Sequence, residues 1–97
     1  MLLVREVFNT KPGKAGALVK MFKQVIPYME KTGLKNTKVM TDLVADYWTV
    51  VIESETEELA QFESEVRGFS SKPEVKEIMK DYMSLVNGGH REIYKIE

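Results

Sequence analysis

The sequence predicts an α+β fold of the split βαβ, ferredoxin-like kind: a four-stranded antiparallel sheet in the order β-α-β-β-α-β, its second helix broken in two. Three observations point there. Runs of strand formers open and close the chain, and two more lie side by side at its middle. The stretches between them place apolar residues three and four positions apart, the helical spacing. The 97 residues suffice for one domain, residues 1–97, and neither a linker nor a repeat of solenoid period divides it. Right-handed crossovers then put the helical segments on one face of the sheet.

Residues 2–9, Leu-Leu-Val-Arg-Glu-Val-Phe-Asn, form the first strand and run into a breaker cluster from Asn9 to Gly13. A helix starts near Pro12-Gly13, where proline suits a first turn, and carries Ala15, Leu18, Val19, Phe22, Val25, Ile26 and Met29 on one face. Pro27 lacks a backbone donor and predicts a kink, and Gly33 suits the C-terminal cap. Strands follow at 36–43 and 46–53, joined by a tight turn at Val44-Ala45, although that pair is not favoured turn chemistry. Ser54-Glu55-Thr56-Glu57 matches a capping box and opens a helix bearing Leu59, Phe62 and Val66. Gly68 interrupts it. Ser71-Lys72-Pro73-Glu74 is a second capping box, opening a helix with Val75, Ile78, Met79, Tyr82, Leu85 and Val86 on one face. Asn87-Gly88-Gly89 stops that helix, and His90 to Ile96 make the last strand.

The strands carry a further message. In the third, Trp48, Val50 and Ile52 alternate with Tyr47, Thr49 and Val51. In the first, Leu2, Val4 and Phe8 alternate with Leu3 and Val7. A half-solvated antiparallel sheet alternates apolar with polar, whereas these strands are apolar on both faces. A single chain would leave one face bare, so the sequence predicts a homodimer packed through the open sheet face.

Composition excludes several functions. Fourteen Lys and Arg stand against fifteen Asp and Glu, a net charge of −1, which gives nucleic-acid binding by counterion release little footing. There is no Cys, hence no disulfide, zinc ribbon or thiol nucleophile, and one His leaves a transition metal only carboxylates for company. No metal or other cofactor is expected. No apolar run approaches the roughly 20 residues that span a bilayer. The opening MLLVREVFNT lacks a signal peptide's basic region and long apolar stretch, so a cytoplasmic protein with no membrane contact is expected. Lys72, Lys76 and Lys80 form a basic stripe answered by Glu74 and Glu77, which reads as a solvent face.

Two segments resemble a known superfamily. Arg5-Glu6-Val7-Phe8-Asn9-Thr10-Lys11-Pro12-Gly13-Lys14 resembles the strand-to-helix entry of NIPSNAP-like proteins. Val50-Val51-Ile52-Glu53-Ser54 resembles the third strand and helix cap of the dimeric α/β-barrel superfamily, which includes NIPSNAP-like and antibiotic-biosynthesis-monooxygenase-like families. As an order of elements the resemblance covers essentially the whole chain. It implies a homodimeric α/β barrel with a pocket in each subunit between sheet and helices. Some members oxidise polyketide-like or quinol substrates, some degrade haem, and others have no known activity. The haem-degrading members' Asn, Trp and His fall here on Glu6, Ile52 and Met79 or Lys80, which disfavours a haem oxygenase.

In this register Leu2, Val4, Glu6, Phe8, Trp48, Val50 and Ile52 point towards the helices. Glu6 stands out among apolar neighbours. It reads either as a general base with a raised pKa or as a carboxylate paired with a nearby Arg or Lys. His90, the one side chain whose ordinary pKa lies near neutrality, is the second catalytic candidate, or else an exposed loop tip. Phe8, Trp48, Met79 and Tyr82 would contact a substrate, or simply fill the core. Two functional readings follow: a cofactor-independent monooxygenase or isomerase-like enzyme acting on a small molecule, or a dimer that holds a small apolar ligand without transforming it. A third, a structural protein, requires Phe8, Phe22, Trp48, Phe62 and Tyr82 to leave no cavity.

Overall fold

The first strand, β1 (Leu2–Thr10), is the most hydrophobic end of the chain and takes the middle of the sheet. A computed structural model describes residues 1–97. It adds, in order, α1 (Ala15–Lys31), β2 (Lys35–Thr41), β3 (Thr49–Thr56), α2 (Leu59–Ser70), α3 (Pro73–Met79), a single 3₁₀ turn (Tyr82–Leu85) and β4 (Val86–Lys95). The four strands are antiparallel in the order β2-β3-β1-β4. Val4 lies opposite Ser54 and Ile93, Glu6 opposite Ile52 and Arg91, and Val7 opposite Val51 and His90.

The core sits between the sheet and the helices. Val4, Val50 and Ile52 meet Leu18, Phe22, Val25 and Met29 of α1, with Leu34, Phe62 and Val75 closing the layer. Burial of each such side chain contributes about 1.5–3 kcal/mol. Because side chains alternate across a strand, Val4 fixes the even residues of β1 on the helix side and the odd residues on the open side.

The closed barrel is corrected by this arrangement. β2 and β4 are free edges, helices cover one face only, and the molecule is a slab of 35 × 34 × 18 Å. Four strands are too few to curl round an interior that side chains could fill, a geometry that takes about eight. The sheet is open.

The open face is also less apolar than predicted. Leu3, Val7, Met40, Val51 and Tyr94 share it with Arg5, Glu53, His90 and Glu92. Arg5 Nε lies 2.9 Å from Glu53 Oε2, an ionic contact outside hydrogen-bond alignment, and Arg5 Nη1 donates to Glu92 Oε1 at 3.4 Å.

Several boundaries move. The predicted two-residue turn at Val44-Ala45 is a loop of residues 42–48, and β3 starts at Thr49. Asp42 explains it: its N–H donates to the Thr49 carbonyl at 3.2 Å and its carboxylate accepts the Thr49 N–H at 2.9 Å. The chain must turn between those bonds, which places Trp48 at φ 63°, a left-handed conformation. Ser54 to Thr56 stay in β3, so the first capping box does not form, and α2 starts from extended Glu58. Gly68 sits inside α2, and the break comes at Ser71-Lys72, before Pro73. The Lys72 N-cap makes no side-chain hydrogen bond, so the second capping box is absent as well. Pro27 is accommodated within α1, which continues to Lys31. Finally, α3 ends at Met79, and Asn87-Gly88-Gly89 belong to β4 rather than stopping a helix. Gly89 is required there: a Cβ would collide with the Val7 carbonyl oxygen.

Candidate functional site

The two-layer packing does not fill the space between sheet and helices. A cavity of about 490 Å³ remains, bounded by β1, β3 and β4 below and by α1, α2 and α3 above. Thirteen of its eighteen lining residues are hydrophobic, the composition of small-molecule sites. The helical spacing of Phe22, Val25 and Met29 supplies one wall, and Phe62, Val66 and Phe69 of α2 another.

Phe8 reaches the cavity from the end of β1. Its ring lies 5.2 Å from that of Phe22 and 6.5 Å from that of Tyr82, edge-on to the latter. Met79 lines the cavity beside Tyr82. Three of the four residues predicted to contact a ligand therefore share one surface. Trp48 does not join them. The Asp42–Thr49 closure leaves it in the loop before β3, 42% exposed, and its carbonyl accepts the Thr10 N–H at 2.7 Å and the Thr10 hydroxyl at 2.9 Å.

Glu6 lines the cavity from β1 and is held by Arg91, its cross-strand neighbour, whose Nε donates to Glu6 Oε1. Burial pushes the Glu6 carboxyl above the ordinary carboxylate range, and the charge and hydrogen bond of Arg91 offset only part of that. The guanidinium carbon of Arg91 in turn lies 5.1 Å from the centre of the Phe62 ring, a cation–π contact. Arg91 is thus fixed from two sides. Ser54, buried at 4% exposure, and Lys76 of α3 complete the polar lining together with Ser70.

His90 is not in this cavity. It lies opposite Val7, on the open side of the sheet, where its Nε2 is 2.7 Å from Glu92 Oε2. The Tyr94 hydroxyl donates to the other oxygen of Glu92 at 2.9 Å. These two hydrogen bonds, His90 first, hold the Glu92 carboxyl below its ordinary range, and the same bond raises the Tyr94 phenol. A shallower groove of about 380 Å³ follows the β4 edge past both Glu6 and His90. Within it the two side chains keep separate partners, Arg91 for Glu6 and Glu92 for His90.

Sequence reasoning missed Arg91, Ser54 and Lys76. Arg91 had a signal, since antiparallel pairing of the first and last strands puts one cation of the last strand beside Glu6. Ser54 was hidden by its match to a capping box, and Lys76 by its place in a basic stripe. No group of three or more His, Asp or Glu side chains is arranged to hold a metal ion, and no helix is long and apolar enough to cross a membrane.

No protein-family model matches the chain, and no curated protein matches it. Solved structures do. An uncharacterised NIPSNAP domain protein from Burkholderia xenovorans superposes with a TM-score of 0.83 at 10% identity, over 100% of this chain and 95% of the other. A NIPSNAP family protein from Agrobacterium tumefaciens gives 0.84 at 10% identity, over 99% and 85%. An antibiotic biosynthesis monooxygenase gives 0.75 at 11% identity, over 100% and 99%. At such identities the likeness establishes the fold alone: this chain has the fold shared by NIPSNAP and antibiotic-biosynthesis-monooxygenase structures.

Proposed function

We propose that the chain binds a small, largely apolar molecule in the cavity between its sheet and its helices, contacting Phe8, Met79 and Tyr82. The observation that carries this reading is the cavity itself, about 490 Å³ of mostly hydrophobic surface with an anchored Glu6–Arg91 pair among its few polar groups. A stability-shift screen against quinones, flavins, fatty acids and long-chain alcohols tests it. Binding to the native state raises Tm with ligand concentration, and Met79→Trp, which fills the cavity, abolishes the shift. A screen with no shift contradicts the proposal.

A second reading, a monooxygenase-like or isomerase-like reaction with Glu6 as proton acceptor, is favoured by one observation. Burial raises the Glu6 carboxyl despite Arg91, and that makes it a better base. Once a ligand is identified, Glu6→Gln abolishing turnover while leaving affinity within about threefold supports this reading, and full turnover in Glu6→Gln removes it. His90 has no part in either proposal.

We also propose that a second copy of the chain covers the open sheet face, where Leu3, Val7, Met40 and Val51 surround the Arg5 ion pairs. Sedimentation at micromolar concentration then gives twice the 11.1 kDa of one chain, and a lone 11.1 kDa species refutes it.

A further inference from the structure

The cavity has a charge imbalance that defines its ligand further. Its lining includes one carboxylic acid, Glu6, and two basic side chains, Lys76 and Arg91. Glu6 is already spent on Arg91, through Nε alone. A guanidinium has five N–H donors, so four remain on Arg91, whose plane is steadied by Phe62. Lys76 makes no ion pair. The neighbouring acid on its helix, Glu77, is taken by Lys80 at 3.0 Å, and Lys72 stands one turn away with the same charge. Lys76 is exposed and stands at the solvent edge of the cavity lining. The cavity thus offers a mostly apolar interior, one uncompensated ammonium and a guanidinium with donors to spare.

Resting on the ligand-binding proposal, we infer that the ligand is an apolar molecule ending in a carboxylate, its body against Phe8, Phe22 and Met79 and its carboxylate held by Lys76 and Arg91. Apolar contact alone does not discriminate an acid from the corresponding alcohol. A charge-assisted pair does, and a bidentate contact to Arg91 suits a carboxylate's two oxygens. A cationic amphiphile would face two like charges with only an already paired carboxylate to meet it.

The test compares decanoate, 1-decanol and decylamine by calorimetric titration on the wild-type chain, Lys76→Met and Lys76→Arg. Decanoate is expected to bind roughly tenfold more tightly than decanol, and decylamine most weakly. Lys76→Met should lose most of the preference for the acid while decanol affinity stays within about twofold, and Lys76→Arg should restore it. The preference should also shrink at high salt. Equal affinities for decanoate and decanol, or a preference indifferent to Lys76→Met, would overturn the inference and leave the apolar cavity reading standing. Tightest binding of decylamine would likewise overturn it. If none of the three binds, the inference of an acidic ligand is overturned, and the cavity reading is decided by the wider stability-shift screen.

Discussion

Glu6 and His90 stand on opposite faces of one sheet. Glu6 is paired with Arg91 on the helix side, while His90, one residue before Arg91 on β4, is paired with Glu92 on the open side. Period-two alternation puts any two consecutive residues of a strand on opposite faces, so no rotamer change brings the His90 ring into the cavity. The two catalytic candidates of the sequence therefore point to different sides of the sheet, and only the shallow groove along the β4 edge touches both.

From that separation, His90→Ala is expected to leave the affinity of a cavity ligand within about twofold, because no cavity contact is removed. Its effect falls on Glu92, whose carboxyl His90 holds low; in the variant that carboxyl should titrate nearer its ordinary value of 4.5. Carbon-detected NMR of the carboxyl resonances against pH checks both the direction and the residue.

Glu6 has the opposite sign. Its folded pKa is raised above the ordinary 4.5, so the unfolded state gives up this proton first and folding stability declines as pH climbs from about 4.5 through the raised folded value. Glu6→Gln cannot ionise and lacks that decline. Urea melts of both proteins between about pH 4 and about pH 7 should show the variant gaining on the wild type as pH rises. A variant that loses ground to the wild type as pH rises would mean that Arg91 outweighs the burial of the carboxyl.

Adjacent glycines on β4 should behave differently. At Gly88 a Cβ would meet nothing within 4 Å, whereas at Gly89 it would meet the Val7 carbonyl oxygen. Gly89→Ala must push β4 away from β1 and is expected to cost about 2 kcal/mol or more, while Gly88→Ala stays within roughly 1 kcal/mol of the wild type. Denaturant midpoints measure the contrast.

Packing and ligand binding are separable as well. Leu18 is fully buried but does not line the cavity, so Leu18→Ala is expected to cost about 2–5 kcal/mol of stability with ligand affinity retained. Met79→Trp should weaken binding at least tenfold with a smaller loss of stability, since the added ring occupies space already empty. Melting and titration on the same samples decide it.

The fold was legible because its signals are periodic. The α1 stripe from Ala15 to Met29 states its face without help from the rest of the chain, whereas β1, apolar on both sides, is recognisable as a strand but takes its inward face from the resemblance. What could not be read depended on long-range partners. Tyr47 and Trp48 look like strand residues, yet the two hydrogen bonds between Asp42 and Thr49, with the Thr49 hydroxyl donating to the Asp46 carbonyl and Thr10 donating to that of Trp48, hold them in a loop. Asn87-Gly88-Gly89 looks like a helix stop, and only the nearness of the Val7 carbonyl shows why a strand needs glycine there. The cavity itself was expected from resemblance, since its volume depends on how far α2 and α3 stand off the sheet and no local pattern encodes that. Arg91 follows once the β1–β4 register is known, and that register is fixed by the finished sheet.

The most direct measurement is the map of methyl NMR shifts on titrating an isotopically labelled chain with decanoate. Binding between sheet and helices moves the methyls of Val4, Ile52, Val75 and Met79 and leaves those of Val7 and Val51, on the outer side of the same strands, unmoved. Shifts confined to Val7 and Val51, or none at saturating ligand, would contradict it.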